Sequence, residues 1–313
     1  MRPLIVLTGP TAVGKTALSI ALAKAVKGEI VSADSMQVYR HMDIGSAKIT
    51  AEEMQNVPHH LIDILEPWEE FHVVRFQELV REALEGIYER GRIPILTGGT
   101  GFYIQAILKD VDFTENGEDL TYRRELEQLA KKEGSGYLHA LLLQADPKSA
   151  EAIHPNNTKR IIRALEYYRQ TGEPISAHNE VQKKKASPYN YAYFVLTDDR
   201  KHLYDRIDLR VDRMLADGLV EEVCHLKELG CTRDMVSMQG LGYKEILAYL
   251  DGELSYEEAV YILKRDTRHF AKRQLTWFKR EQDVIWIDRQ SFGYQDDKIS
   301  EYMQEICRNK GIL

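Results

Sequence analysis

A run of eight residues near the start of the chain has the composition of a phosphate-binding loop. It reads Gly9, Pro10, Thr11, Ala12, Val13, Gly14, Lys15 and Thr16, and it fits the pattern G-x-x-x-x-G-K-[ST] in full. In such a loop the glycines let backbone N–H groups converge on phosphate oxygens, the lysine neutralises charge, and the last hydroxyl ligates Mg²⁺. The pattern predicts a site for a di- or triphosphate with Mg²⁺, in which Thr16 is the metal ligand.

A carboxylate follows the next apolar segment of the chain. Asp34 comes directly after residues 30–33, which read as the end of a strand. Ligands of open α/β sheets bind at the carboxyl ends of the strands, so a general base or a metal ligand would be well placed here. An aspartate that only caps the following segment explains the position equally well.

The elements that must position these residues are those of a parallel α/β sheet. Apolar segments at 4–7, 29–32, 93–96, 191–196 and 284–287 predict strands, and helical periodicity follows the loop and recurs at 72–90. The strand at 93–96 ends in Thr97-Gly98-Gly99-Thr100-Gly101 and not in the aspartate that usually accompanies this loop in NTPases. A motor or switch ATPase is therefore disfavoured, and transfer chemistry on a phosphate-bearing substrate is favoured.

The distribution of predicted helices and strands divides the chain into three stretches. Helical periodicity without strand-like runs appears at 122–132, 137–143 and 159–170, and long helices are expected at 200–217, 219–229 and 255–280. We predict a P-loop NTPase-like α/β core whose first part is residues 1–111. A helical insertion domain would occupy residues 112–188, and residues 189–313 would continue the core and add long C-terminal helices.

Composition restricts the class of protein. The chain has 313 residues, of which 43% are hydrophobic and 29% charged, as in ordinary folded domains. Its three cysteines lack a C-x-x-C pairing, which argues against a disulfide framework and a structural zinc site. With no targeting or membrane-spanning segment visible, we expect a cytoplasmic protein that makes no membrane contact.

One predicted helix carries most of the evidence for a nucleic-acid partner. The net charge of -7 taken over the whole chain argues against such a partner. A nucleic-acid site therefore requires that the lysines and arginines be clustered in one part of the chain. Residues 264–280 contain seven lysines and arginines and few carboxylates, and Arg265, Arg268 and Lys272 share one face of the helix. Apolar residues recur on another face, so the sequence pattern by itself favours a solvated amphipathic helix packed on the core.

A series of distinctive motifs runs in one order along nearly the whole chain. The motifs are Gly9–Thr16, Asp34-Ser35-Met36-Gln37, Met42-Asp43-Ile44-Gly45-Ser46-Ala47-Lys48, Pro58-His59-His60, Gly98-Gly99-Thr100-Gly101-Phe102-Tyr103, His154-Pro155-Asn156-Asn157, Arg160-Ile161-Ile162-Arg163-Ala164-Leu165-Glu166, Gly240-Leu241-Gly242-Tyr243, and Arg268-His269-Phe270-Ala271-Lys272-Arg273-Gln274-Leu275-Thr276-Trp277. Together they resemble one family, the tRNA dimethylallyltransferases (tRNA isopentenyltransferases), in their bacterial organisation.

The resemblance implies a reaction and a set of site residues. The family moves a dimethylallyl group from dimethylallyl diphosphate to N6 of an adenosine beside the anticodon of tRNA. By the resemblance, Asp34 is the general base, Thr100 lies near the same nucleotide, and Arg206 and Arg210 are candidates for the far side of the diphosphate. The implied tRNA-binding residues are Asp34, Ser35, Met36, Gln37, Lys159, Arg160, Arg163, Arg268, Lys272 and Arg273.

Two other classes of protein remain as alternatives. A small-molecule P-loop kinase would use Asp34 as a base toward a hydroxyl group, and tight binding of ATP with transfer of its γ-phosphate would identify it. A noncatalytic RNA-binding protein with a vestigial loop is the second, although the intact Lys15, Thr16 and Asp34 weigh against it. The expected partners are dimethylallyl diphosphate and the anticodon loop of tRNA, and no obligate protein partner is inferred.

Overall fold

The computed structural model describes residues 1–113 and 120–313, which form two compact units. Residues Met1–Leu108 and Pro188–Leu313 make up the first unit, and residues Lys109–Ser187 make up the second. The predicted insertion domain at 112–188 stays a prediction, and its residues 114–119 lie outside the described part of the chain.

The first unit is built on a parallel sheet, as the sequence predicts. Its six strands are β1 Arg2–Thr8, β2 Gly28–Ser32, β3 His59–His60, β4 Ile93–Gly98, β5 Tyr189–Thr197 and β6 Val284–Asp288. They lie in the order β3-β2-β4-β1-β5-β6, and all of the paired strands are parallel. β1 therefore lies in the middle of the sheet with β4 on one side and β5 on the other.

Helices cover both faces of this sheet. The helices of the first unit are α1 Lys15–Val26, α2 Val73–Glu89, α3 Gly101–Leu108, α9 Arg200–Ala216, α10 Leu219–Glu228, α11 Tyr243–Leu250, α12 Tyr256–Phe278 and α13 Asp296–Asn309. Those of the second unit are α4 Leu120–Glu133, α5 Ser135–Ala145, α6 Pro147–Ala152, α7 Thr158–Thr171 and α8 Ile175–Lys184. Each long helix expected at 200–217, 219–229 and 255–280 is present.

The two-residue period of β1 divides the core of the first unit between the two faces. Leu4 and Val6 pack into one buried cluster with side chains of α2, α3 and α11, whereas Ile5 and Leu7 pack into another with side chains of α1 and α13. Successive side chains of a strand point to opposite faces, so a fully apolar strand is what a sheet covered on both sides requires. This packing fixes the carboxyl end of β1, where the phosphate loop begins.

The second unit is a helical bundle with its own apolar core. Leu126, Leu138 and Leu142 pack there against residues of α7. The buried Asp146 caps α6, since its carboxylate accepts hydrogen bonds from the backbone and hydroxyl of Ser149 and of Ser176, which ties α6 to α8. A buried carboxylate is stable only when it is hydrogen-bonded in this way.

Candidate active site

The phosphate loop Gly9–Thr16 connects the end of β1 to the start of α1, as the motif requires. Gly14 precedes α1 with φ of 101°, a left-handed conformation that glycine adopts without strain. The Lys15 amine folds back over the loop and donates to the carbonyls of Gly9 at 3.0 Å and Pro10 at 2.8 Å. The loop therefore presents its lysine and the amino end of α1 to the carboxyl edge of the sheet.

Two arginines of α9 hydrogen-bond to the phosphate loop. Arg206 and Arg210 lie one helical turn apart, so both reach the same neighbour. The Arg206 Nε donates to the carbonyl of Ala12 at 2.8 Å, and the Arg210 Nη1 donates to the Thr11 hydroxyl at 3.1 Å. The structure thus brings both predicted arginines to the phosphate loop, although they lie about two hundred positions away in sequence.

Burial and neighbouring charges shift the pKa values of two cations at the loop. Burial, followed by the positive charge of Arg210, lowers the pKa of Lys15 to about 7, with Asp34 opposing both effects. Burial and the nearby Arg206 lower the pKa of Arg210, while Asp34 and Glu53 raise it. A bound anion would stabilise the charged forms of Lys15 and Arg210, so these lowered pKa values are typical of an anion-binding site.

We expect binding of diphosphate to be accompanied by proton uptake above pH 7. In the free protein the pKa of Lys15 is about 7, so the amine loses its proton as the pH rises through that value. A bound diphosphate raises the pKa of the lysine, which then regains a proton, so affinity falls as pH rises. Calorimetry in buffers of different ionisation enthalpy measures this uptake.

A Lys15→Met variant is the control for the proton uptake. Diphosphate itself titrates near neutral pH, and that contribution is common to both proteins. The difference in proton uptake between wild type and variant therefore isolates the lysine. Equal uptake by the two proteins would contradict the assignment.

Asp34 lies in a tight turn directly after β2. Its Oδ1 accepts hydrogen bonds from the backbone N–H of Met36 at 2.8 Å and of Gln37 at 3.4 Å. The second oxygen, Oδ2, has no hydrogen bond to any part of the chain that the structure describes. One oxygen thus holds the turn, and the other is available to a ligand at the carboxyl edge of the sheet.

Thr100 follows β4 and lies beside the Asp34 turn. β4 pairs with both β1 and β2, so the loops after these three strands must share one edge. The backbone N–H of Thr100 donates to the carbonyl of Ala33 at 3.3 Å, next to Asp34. The phosphate loop, Asp34 and Thr100 therefore lie side by side.

Gln274 on α12 joins two of these loops, and sequence reasoning did not assign it a role. Its Oε1 accepts from the backbone N–H of Thr11 at 2.9 Å, and its Nε2 donates to the carbonyl of Gly99 at 3.0 Å. The side chain is buried. A glutamine on the core side of an otherwise amphipathic helix was the available signal, because a buried amide must find partners.

Arg289 also hydrogen-bonds to the phosphate loop, and sequence reasoning did not assign it a role either. It follows β6, and its Nη1 donates to the carbonyl of Val13 at 2.6 Å while its Nη2 pairs with Asp296 at 2.6 Å. A Cβ atom on Gly14 would lie 1.7 Å from the Arg289 Nη1, and the φ of 101° at this position disfavours any residue other than glycine. Nothing in the sequence around a lone arginine after a strand indicates this contact.

The predicted tRNA-binding residues fall into several surroundings. Ser35 and Met36 lie in the Asp34 turn, and the Gln37 amide is used internally, since it donates to the carbonyls of Ser46 at 3.4 Å and Ala47 at 3.2 Å. In the second unit, three of the predicted residues are cations on the first turns of α7. Lys159 and Arg160 are exposed there, and Arg163 is half-buried. Their role in tRNA binding stays a prediction.

The cations of α12 divide into paired and exposed ones. Lys264 pairs with Asp212 at 2.5 Å, and Arg268 pairs with Asp208 at 2.5 Å, so both tie α12 to α9. Lys272 is exposed, and so is Arg273. No ion pair joins either of them to a described residue. A surface groove of about 470 Å³ is lined by His269, Lys272, Arg273, Thr276, Trp277 and Arg280.

The part of the chain that the structure describes has no group of three or more His, Cys, Asp and Glu side chains that could hold a metal ion. Thr16 is exposed at the start of α1. A magnesium ion that takes most of its ligands from phosphate oxygens and water needs only one such hydroxyl from the protein.

Among the residues that the structure describes, none of the helices has an apolar stretch of the length that a membrane span requires.

Comparison with known proteins identifies the family of the chain. A family model described as IPP transferase matches residues 37–281, and one described as isopentenyl transferase matches residues 3–65. A tRNA dimethylallyltransferase from Lachnoclostridium phytofermentans is 64% identical over 313 residues, which is the whole of both chains.

Solved structures give the same answer. A full-length tRNA isopentenylpyrophosphate transferase from Bacillus halodurans is 46% identical, with 99% of this chain and 98% of that chain covered and a TM-score of 0.75. A eukaryotic dimethylallyltransferase crystallised in the act of modifying tRNA is 31% identical, with 92% of this chain and 74% of that chain covered and a TM-score of 0.78. The chain, with its cationic phosphate loop beside a carboxylate, therefore belongs to the tRNA dimethylallyltransferase (IPP transferase) family.

Proposed function

We propose that this protein transfers a dimethylallyl group from dimethylallyl diphosphate to N6 of an adenosine beside the anticodon of tRNA and releases diphosphate. The observation that carries the proposal is the meeting of two kinds of group at one edge of the sheet. Asp34 lies within electrostatic reach of both Lys15 and Arg210. A base for the acceptor and a cationic site for the leaving group therefore adjoin each other.

The donor side of the reaction rests on the phosphate loop Gly9–Thr16. As the bond between the allyl carbon and oxygen breaks, negative charge accumulates on the departing diphosphate. Lys15, Arg206 and Arg210 surround the loop and supply positive charge that is fixed before the reaction starts. Such preorganised cations stabilise a developing anion more than a bound substrate, and that difference lowers the barrier.

The acceptor side rests on Asp34 and Thr100. The amino group of adenine is a poor nucleophile because its lone pair is delocalised into the ring, so a carboxylate that takes its proton as the new bond forms assists the attack. The Asp34 Oδ2 is the atom available for this proton. The nucleotide must leave the base stack to reach the edge of the sheet, which costs least in a single-stranded loop.

Magnesium fits the donor side through Thr16. The exposed hydroxyl at the amino end of α1 is the group that would hold the ion. When bound, the ion neutralises charge on the diphosphate oxygens. We also propose a cytoplasmic location, since the substrate is tRNA.

Incubation with dimethylallyl diphosphate and unmodified tRNA, followed by mass analysis of the nucleosides, tests the proposal. We expect an adenosine that carries one dimethylallyl group, and diphosphate in equal amount. ATP in place of dimethylallyl diphosphate is the matched comparison. Transfer or hydrolysis of the γ-phosphate of ATP, without prenylated nucleoside in the first reaction, would favour the kinase alternative.

Neutralising Lys272 and Arg273 together is expected to weaken tRNA binding and to flatten its salt dependence. Both side chains are exposed beside the groove on α12 and have no ion pair among the described residues. Each phosphate contact releases counterions, so the slope of log K against log salt should fall by about 1.4 to 1.8 for two contacts. Filter binding across a series of salt concentrations measures this slope.

A matched control exists on another helix. Lys298 and Arg308 are exposed on α13, which packs against α1. Replacing both removes the same charge from the protein, so any effect of net charge alone appears there too. An equal change of slope in the two double variants would show that α12 has no specific contact with tRNA.

A further inference from the structure

A carboxylate of α10 holds a backbone segment that none of the proposed steps uses. We call residues 43–47 the brace loop. Glu222, on the first turn of α10, accepts three of its consecutive backbone N–H groups, from Asp43 at 2.8 Å, Ile44 at 2.7 Å and Gly45 at 3.0 Å. Successive N–H groups that converge in this way form an anion-binding nest. Here the anion in the nest is a side chain of the protein itself.

A fourth donor completes the coordination of this carboxylate. The Tyr243 hydroxyl donates to Glu222 Oε1 at 2.8 Å, so each carboxylate oxygen accepts two hydrogen bonds. The Tyr243 ring is fully buried and packs so closely on Gly45 that a Cβ atom there would lie 2.6 Å from it. Two sequence motifs without a role in the chemistry, residues 42–48 and 240–243, thus meet at one carboxylate.

The brace loop in turn holds the acceptor side of the site. Its carbonyls at Ser46 and Ala47 accept from the amide of Gln37. The backbone N–H of Gln37 donates to Asp34, which closes the turn that carries the proposed base. A continuous series of hydrogen bonds therefore runs from Glu222 through the brace loop to Asp34.

The phosphate loop is held by a different set of side chains. Its contacts with distant parts of the chain come from Arg206, Arg210, Gln274 and Arg289. None of these hydrogen bonds involves Glu222 or the brace loop. Loosening the brace loop should therefore move the acceptor side and leave the diphosphate side in place.

We propose that Glu222 is a positioning residue for the acceptor nucleotide, which acts by fixing the Asp34 turn through the brace loop. The inference rests on the proposed function, because it assumes that Asp34 faces the adenosine. A carboxylate is needed at this position because it offers four acceptor sites on two oxygens and a full negative charge to the nest. A glutamine amide would instead present an NH₂ group either to backbone N–H groups, which can only donate, or to the Tyr243 hydroxyl, which already donates.

Glu222→Gln is expected to slow the transfer step and to spare the diphosphate site. We expect the single-turnover rate constant at saturating tRNA to fall about 10- to 100-fold, the effect of a displacement of about 1 Å in a reacting group. The affinity for inorganic diphosphate, measured by calorimetry, should stay within about twofold, since the loop Gly9–Thr16 keeps all of its contacts. A rate constant is the right quantity, because partly unfolded enzyme lowers only the amplitude.

Two further variants complete the test. Tyr243→Phe keeps the packing and removes one of the four hydrogen bonds, so the rate constant should fall by about 2- to 12-fold, the factor for a single hydrogen bond. Glu221→Gln changes the same group on the neighbouring exposed residue and should match wild type. Wild-type rate constants in both Glu222→Gln and Tyr243→Phe would overturn the proposal.

A parallel loss of diphosphate affinity and of transfer rate in Glu222→Gln would also overturn the proposal, because it would indicate a general structural role. Failure of the underlying function gives a different result. In that case wild type itself forms no prenylated nucleoside, and the positioning role of Glu222 is overturned together with the proposed function.

Discussion

Replacement of Asp34 by Asn is expected to slow prenyl transfer by about 10²–10⁴-fold, the usual contribution of a general base, while tRNA affinity changes little. The structure sharpens this expectation. Both backbone hydrogen bonds of the Asp34 turn end on Oδ1, and the amide of asparagine keeps such an oxygen. The turn should therefore survive, and only the proton acceptor at Oδ2 is lost.

Single-turnover measurement at saturating tRNA reports the chemical step without association or product release. Asp217→Asn is a matched control, because Asp217 is exposed at the end of α9. A collapse of tRNA affinity with normal turnover in the bound state would make Asp34 a recognition residue. A wild-type rate at saturation would leave proton removal to solvent or to the departing diphosphate.

Replacement of Lys15 by Met is expected to reduce turnover by about 10²–10³-fold, the usual cost of removing one group that faces developing negative charge. Methionine keeps most of the aliphatic length of the lysine and removes its charge, so packing at the start of α1 is largely retained. Affinity for inorganic diphosphate should fall as well, because the variant loses the Lys15 cation at the loop, although Arg206 and Arg210 remain.

Lys24→Met, on an exposed position of the same helix, is the control for a charge lost elsewhere on α1. Circular dichroism and the thermal midpoint of both variants show whether the fold is intact. Unchanged kinetics with both substrates in Lys15→Met would remove the lysine from the reaction. The phosphate loop would then hold its ligand through backbone N–H groups and arginines alone.

The fold class was predictable because its signals are local. The motif Gly9–Thr16 lies between an apolar segment and a helical one, and strand, loop and helix are found in that order. A left-handed Gly14 and an apolar β1 are requirements of the backbone and of the two covered faces, which short stretches of sequence express directly. The same reasoning placed Asp34 at the carboxyl edge of the sheet, whereas the place of Thr100 near the same nucleotide was implied only by the resemblance to the family.

The contacts that complete the site were decided by tertiary packing. Gln274 reaches Thr11 across 263 positions, and Arg289 reaches Val13 across 276. No spacing rule relates residues so far apart, because their separation in space depends on how whole helices pack on the sheet. Glu222 likewise shows no signal in sequence, as its partners are backbone N–H groups that any residue type would supply.

Charge patterning on α12 shows the same division between sequence and structure. From sequence, Arg268 and Lys272 share a helical face and look equivalent. In the folded protein, Arg268 pairs with Asp208 on α9, and Lys272 remains exposed beside the groove. The sequence by itself determined that a cationic helix and a phosphate loop exist, because composition and local period specify them. Only the tertiary structure decided which cations are neutralised by neighbours, because an ion pair depends on distances between separate elements.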